Sequence, residues 1–196
     1  MLDEDENGYK AGRFLRASDL GIKSKNGEWK PVIHDAISHR LVVPNGTMGQ
    51  RWEEGKQWNL KLETEDGSKI DPALSVAEED YELQTIQFPY FDSQGDGIFE
   101  RPIPTKKVKL ADGKEVRIAT VYDLMASQYG IKRFGHELEA KSYEDSASKY
   151  TPAWQENITG IKQELVTQVA REFAQNAIDT KGRSMIIMGA GINHWF

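Results

Sequence analysis

Gly189–Ala190–Gly191 closes a nearly all-apolar run, Ser184–Met185–Ile186–Ile187–Met188, and leads into Asn193, His194 and Trp195. Bare backbone at such a turn can come close to a pyrophosphate, because no Cβ stands in the way. Open α/β sheets collect their ligands beyond the carboxyl ends of the strands. An amide, an imidazole and an indole on that turn suit a pocket edge, and imidazole titrates near neutral pH. The turn is not a complete dinucleotide fingerprint. Its third glycine position is not glycine, and no ribose-binding acid follows it in the chain. Two readings stay open on the residues alone: the edge of a ligand pocket, and a frayed chain end.

The other candidates are weaker. Asp92, Gln94, Asp96 and Gly97 imitate the opening of a calcium loop. Position twelve of that loop would be Ile103, where a bidentate Glu is needed, so an acidic β-loop is expected instead. His34 and His39 flank a hairpin reversal and could pair on a metal, but no third ligand is near them in sequence, and exposed turn histidines are expected. His136 falls in a charged linker. No spacing supports a Ser–His–acid triad. The chain has no cysteine, which excludes disulfides, thiolate zinc sites, cysteine nucleophiles and cysteine-ligated iron–sulfur clusters within it.

The 196 residues allow one large domain or two small ones. With 25 basic and 31 acidic residues the net charge is −6, and Asp3, Glu4, Asp5 and Glu6 hold much of the excess. No strong field argues for nucleic acid or an anionic membrane surface. Trp29, Trp52, Trp58 and Trp154 therefore read as packing residues rather than base-stacking platforms. No apolar run approaches the roughly 20 residues of a membrane span, and no basic-then-apolar leader opens the chain, so the cytoplasm is the expected compartment.

The elements that must position the turn divide the chain into a β-rich stretch, 1–119, and a helical stretch, 120–196. The fold class expected is α+β. Alternation predicts strands at Arg13–Ala17, Trp29–Ile33 and Trp58–Glu63, and Leu41–Val43 ends at the turn Pro44–Asn45–Gly46. Lys107–Leu110 and Glu115–Ile118 form a hairpin around Gly113. Residues 66–97, rich in acids and glycine around an Ile86–Phe91 island, read partly as a surface excursion. Thr120 and Asp123 cap a helix from Val121 to Tyr129, and Thr151–Pro152 starts another that Gly160 ends. Ile161, Leu165, Val169, Phe173 and Ala177 then recur every four residues, the strongest helical stripe in the chain. That stripe should pack on a buried strand at Ser184–Met188, with Leu165→Ala or Phe173→Ala costing about 2–5 kcal/mol. Helix, loop, apolar strand and glycine turn make the rhythm of an α/β domain, which normally continues into a further helix. The stop at Phe196 reads as an excised piece of something longer.

Several segments, in order, resemble one family. They are Gly12–Arg13–Phe14–Leu15–Arg16–Ala17–Ser18–Asp19–Leu20, Val43–Pro44–Asn45–Gly46, Trp58–Asn59–Leu60 and Phe88–Pro89–Tyr90–Phe91. Leu110–Ala111–Asp112–Gly113, Val121–Tyr122–Asp123–Leu124 and Tyr150–Thr151–Pro152–Ala153–Trp154 follow. The stretch from Gly182 to Trp195 is the most specific. Together they resemble an internal segment of the catalytic α subunits of membrane-bound respiratory nitrate reductases. These are molybdopterin oxidoreductases of the dimethyl sulfoxide reductase type.

The resemblance implies a parent that reduces nitrate to nitrite at a molybdenum bis(molybdopterin guanine dinucleotide) centre. It also implies an iron–sulfur cluster in that parent, an iron–sulfur β subunit, a haem-containing membrane γ subunit, and a place at the cytoplasmic face of the membrane without direct insertion. The family's cluster ligands and its molybdenum-ligating aspartate lie upstream of the matching segment, so no metal ligand is expected here. By resemblance, Gly189, Gly191 and Asn193 approach the cofactor and His194 is a donor in the pocket. The fragment alone is expected to be cofactor-free and inactive. Two rival readings are a non-catalytic subunit-interaction module and a small nucleotide-binding protein.

Overall fold

A computed structural model of the chain describes residues 1–45, 62–78, 80–92, 95–187 and 189, with the backbone alone at 78, 90–92 and 95–96. The residues form two compact units, Met1–Glu139 and Ala140–Phe196. The switch from strand to helix at Thr120 lies inside the first of them.

The first unit is built on a mixed five-stranded sheet. Its strands are β1 (Leu2–Asp5), β2 (Gly8–Ala11), β5 (Glu82–Asp92), β6 (Gly95–Lys109) and β7 (Glu115–Ile118), in the order β1-β2-β5-β6-β7. A separate two-stranded hairpin pairs β3 (Ile33–Asp35) with β4 (Arg40–Val42). The fold is α+β, as the sequence implies. The long pair β5–β6 is its backbone, with Phe88 opposite Phe99 and their rings stacked at 5.7 Å. Ile86 and Ile103 are fully buried. Residues 66–97 therefore do more than make a surface excursion, because their second half supplies a central strand.

Two prolines in β6 hide that pairing from a propensity reading, since proline cannot donate to a ladder. Pro102 and Pro104 lie where β6 pairs with β5 but not with β7, whose register begins at Lys106. The exposed side of that stretch is covered by helix α1 (Val121–Gln128), whose Ser127 hydroxyl donates to the Pro102 carbonyl at 2.7 Å. The predicted hairpin at Gly113 is present, and Gly113 has φ +88°, the left-handed turn that glycine permits.

Other expected strands do not form. Around Arg13–Ala17 only an isolated bridge, Arg16 to Pro31, is made, and a 3-10 turn occupies Ala17–Leu20. The cause is local: Asp19 accepts from the Arg16 amide at 2.8 Å and from the Arg13 guanidinium at 2.7 Å, closing a turn that alternation cannot reveal. Of Trp29–Ile33 only Ile33 enters a strand, and Trp29 is 60% exposed rather than packed. Trp52 and most of Trp58–Glu63 lie outside the described residues.

Asp35, at the end of β3, carries a measurable consequence. Its carboxylate accepts from the Ser38 hydroxyl at 2.5 Å, the Asp71 amide at 2.7 Å and the Ser38 amide at 2.9 Å. These bonds lower its pKa from 3.8 to about 2. A depressed carboxyl pKa stabilises the fold above 3.8, and that contribution is lost as pH falls through the interval down to about 2. Denaturant melts across that interval should show stability falling with acid, and Asp35→Asn should flatten the fall. An unchanged slope in the variant would remove Asp35 as its source.

The second unit holds α2 (Pro152–Thr159) and α3 (Gln163–Asp179). Thr151 caps α2 by accepting from the Trp154 amide at 3.1 Å, and Gly160 ends it in the left-handed region at φ +73°. Both ends are as the sequence implies.

Candidate functional site

The approach to the glycine turn begins at the end of α3. Lys181 and Gly182 take positive φ, and the Gly182 amide donates to the Ala177 carbonyl at 2.6 Å, ending the helix. Asn176 then ties the outgoing chain back, its amide donating to the Ser184 hydroxyl at 2.7 Å and to the Arg183 carbonyl at 3.3 Å. The Ser184 hydroxyl in turn donates to the Phe173 carbonyl at 3.0 Å.

Beyond this clasp the expected strand is absent among the described residues. Ser184 to Ile187 has no strand partner, and Met185, Ile186 and Ile187 are 76%, 75% and 83% exposed. The physical reason is the ladder itself: a strand's amides and carbonyls need a neighbour, and the second unit has no described strand to supply one. The helical stripe is real but faces outward, with Leu165 53% and Phe173 41% exposed. In this chain by itself, Leu165→Ala should therefore shift stability by no more than about 0.5 kcal/mol, the usual range for surface substitutions. That replaces the expectation of a core-sized loss. A loss above about 2 kcal/mol in denaturant melts would show that the stripe is covered after all.

Of the residues assigned to the candidate pocket, only Gly189 is described. It is exposed, and a Cβ added there would meet nothing within 4 Å, so its backbone is open to approach. Gly191, Asn193 and His194 lie outside the described residues, as does Gln94 of the calcium-like segment. Among the described residues no group of three or more His, Asp and Glu could hold a metal ion.

The first unit contains two features that spacing did not reveal. One is a buried polar hub. Asp123, fully buried on α1, accepts from the Ser75 hydroxyl at 2.7 Å, the Val76 amide at 3.0 Å, the Thr120 hydroxyl at 2.9 Å and Arg133 at 2.7 Å. Arg133 lies over the rings of Phe134 and Tyr122 at 4.8 and 5.7 Å. Glu139, also buried, accepts from the amides of Arg133, Phe134 and His136. This network knits three segments of the first unit. The second feature is an apolar cavity of about 350 Å³, lined by Phe14, Val32, His34, Leu41, Leu74 and Tyr122 among others. His34 is thus buried in β3, not an exposed turn residue, because its strand turns it toward this cavity. His39 is exposed and holds the turn with φ +55°. His136 helps shape its loop by accepting from the Leu138 amide at 3.2 Å.

No family model matches the chain. It is 51% identical over 193 residues to the nitrate reductase alpha chain of Bacillus subtilis, a match covering 97% of this chain and 16% of that protein. It is 39% identical to the respiratory nitrate reductase 1 alpha chain of Escherichia coli over its full length, which is 17% of that protein. It is 41% identical to a nitrate reductase alpha subunit of Mycobacterium tuberculosis over 94% of its length and 15% of the relative's. The chain thus spans about a sixth of the length of these relatives. Over nearly its whole length the chain is similar to nitrate reductase alpha chains, and it corresponds to a small part of each.

Proposed function

We propose that the chain serves as one segment of a nitrate reductase α subunit that reduces nitrate to nitrite, and that it contributes pocket shape and donors rather than metal ligands. The observation that carries this is the 51% identity along 97% of the chain to a nitrate reductase alpha chain of which it spans 16%. The exposed stripe of α3 and the unpaired apolar run after it support the same reading, since contiguous apolar surface of this kind is a marker of an interface. The match of nearly the whole chain to a small part of one longer protein favours it over a self-contained interaction module or nucleotide-binding protein.

The proposed cofactor is molybdenum bis(molybdopterin guanine dinucleotide), which supplies the two-electron chemistry that removes an oxygen atom from nitrate. The described residues hold no metal-ligand cluster, and the open backbone at Gly189 fits close approach of a flat cofactor. In this reading Gly189, Gly191 and Asn193 let backbone and an amide side chain meet the cofactor, and the His194 imidazole donates to the substrate oxygen. Such donors act strongly where water is excluded. Conversion of nitrate to nitrite consumes two electrons and two protons and releases water. The electrons would come through an iron–sulfur cluster of the α subunit and the iron–sulfur β subunit from a haem-containing membrane γ subunit. No helix among the described residues is long and apolar enough to cross a membrane. The complex is proposed to sit at the cytoplasmic face of the membrane, with this segment away from the bilayer.

Alone, the 196-residue chain should be folded, cofactor-free and inactive. One glycine turn leaves most of a large cofactor in water and does not repay the ordering cost of binding. Elemental analysis of the purified chain should find trace molybdenum, and a reduced-dye assay should consume no nitrate above blank. Stoichiometric molybdenum with nitrate reduction would overturn the segment reading.

A further inference from the structure

We propose that Asn176 and Ser184 are positioning residues that set where the Gly189 turn lies relative to α3; the inference rests on the segment reading above. The clasp is built entirely from the helix end and the chain leaving it. Asn176 bonds the Ser184 hydroxyl and the Arg183 carbonyl, and Ser184 bonds the Phe173 carbonyl one turn further back. Thr180 completes it, accepting from the Arg183 amide at 3.1 Å while its hydroxyl donates to the Asn176 carbonyl at 2.5 Å. Two consecutive residues at positive φ, Lys181 and Gly182, make the reversal tight enough for these bonds to close.

The clasp closes while Met185 to Ile187 has no strand partner among the described residues, so its bonds do not depend on sheet pairing. An extended chain advances about 3.3 Å per residue, and a slip of one residue turns every side chain to the other face. A one-residue slip at Ser184 would thus move the chain leading to Gly189 by about that distance. Misplacements of about 1 Å can lower turnover roughly 100-fold. Ser184 and Asn176 touch neither substrate nor cofactor in this account and act only through the run that follows.

The test uses the full-length α subunit carrying this segment, with Asn176→Ala, Ser184→Ala and Ser184→Thr. Threonine keeps the hydroxyl and serves as the conservative control. Expected are an at least tenfold loss of nitrate turnover per molybdenum in both alanine variants and near-normal turnover in Ser184→Thr. Hydrogen exchange, read on metal-free protein, should accelerate at least tenfold at the Gly182 and Arg183 amides in both alanine variants. The α3 amides from Val166 to Gln175 should not change. Full turnover per molybdenum with unaltered exchange in both alanine variants would overturn the inference. So would a loss that spreads over all of α3, or one that Ser184→Thr shares, since either marks general destabilisation. A wild-type subunit without nitrate turnover would instead overturn the proposed function, so the two failures are distinguishable.

Discussion

His194→Ala in the intact α subunit should lower nitrate turnover by about 10²–10³ while molybdenum content stays near normal. That is the usual loss when one preorganised donor is removed from a water-excluded site. An imidazole three residues after Gly191 can donate to an oxygen that gains charge as its bond to nitrogen breaks. The family resemblance of Gly182 to Trp195 implies the same role for His194. His194→Gln keeps an N–H donor on a different frame and should recover part of the loss. Full turnover in a metallated alanine variant would take His194 out of the pocket.

The second large effect is on stability. Asp123→Ala should destabilise the first unit by about 3–5 kcal/mol, the range for breaking a buried ion pair from one side. Removing that carboxylate strands Arg133 under two aromatic rings and leaves the Ser75 hydroxyl and the Val76 amide without their acceptor. Asp123→Asn keeps an acceptor for some of these donors but not the charge that faces Arg133, and should fall between. A denaturant melt of Asp123→Ala within about 1 kcal/mol of wild type would show that water or another acceptor replaces the carboxylate.

Much of this architecture was legible where the determinant is local. Thr120, Thr151, Gly160 and Gly113 each act within a few residues, and each does what its chemistry suggests. Asp123 was legible by half. The spacing from Thr120 marks a helix start, but its carboxylate turns to Ser75 and Arg133, partners that only the folded chain brings near. The pairing of β5 with β6 was obscured for a similar reason: prolines at 102 and 104 argue locally against a strand, and Ser127 of α1 answers one of them from a distant part of the sequence. At the apolar run after α3, pattern and structure part company. Alternation and hydrophobicity report what a segment is suited to bury against, not whether that surface is present in the same 196 residues.

In the proposed function these residues work as part of a longer nitrate reductase α chain. Its most direct test is the size of the native polypeptide, detected in the source cells with an antibody against this segment and identified by peptide mass mapping. The expected result is one continuous polypeptide much longer than 196 residues that co-purifies with molybdenum and dye-linked nitrate reduction. A native product of 196 residues, made and kept on its own without either, would contradict it.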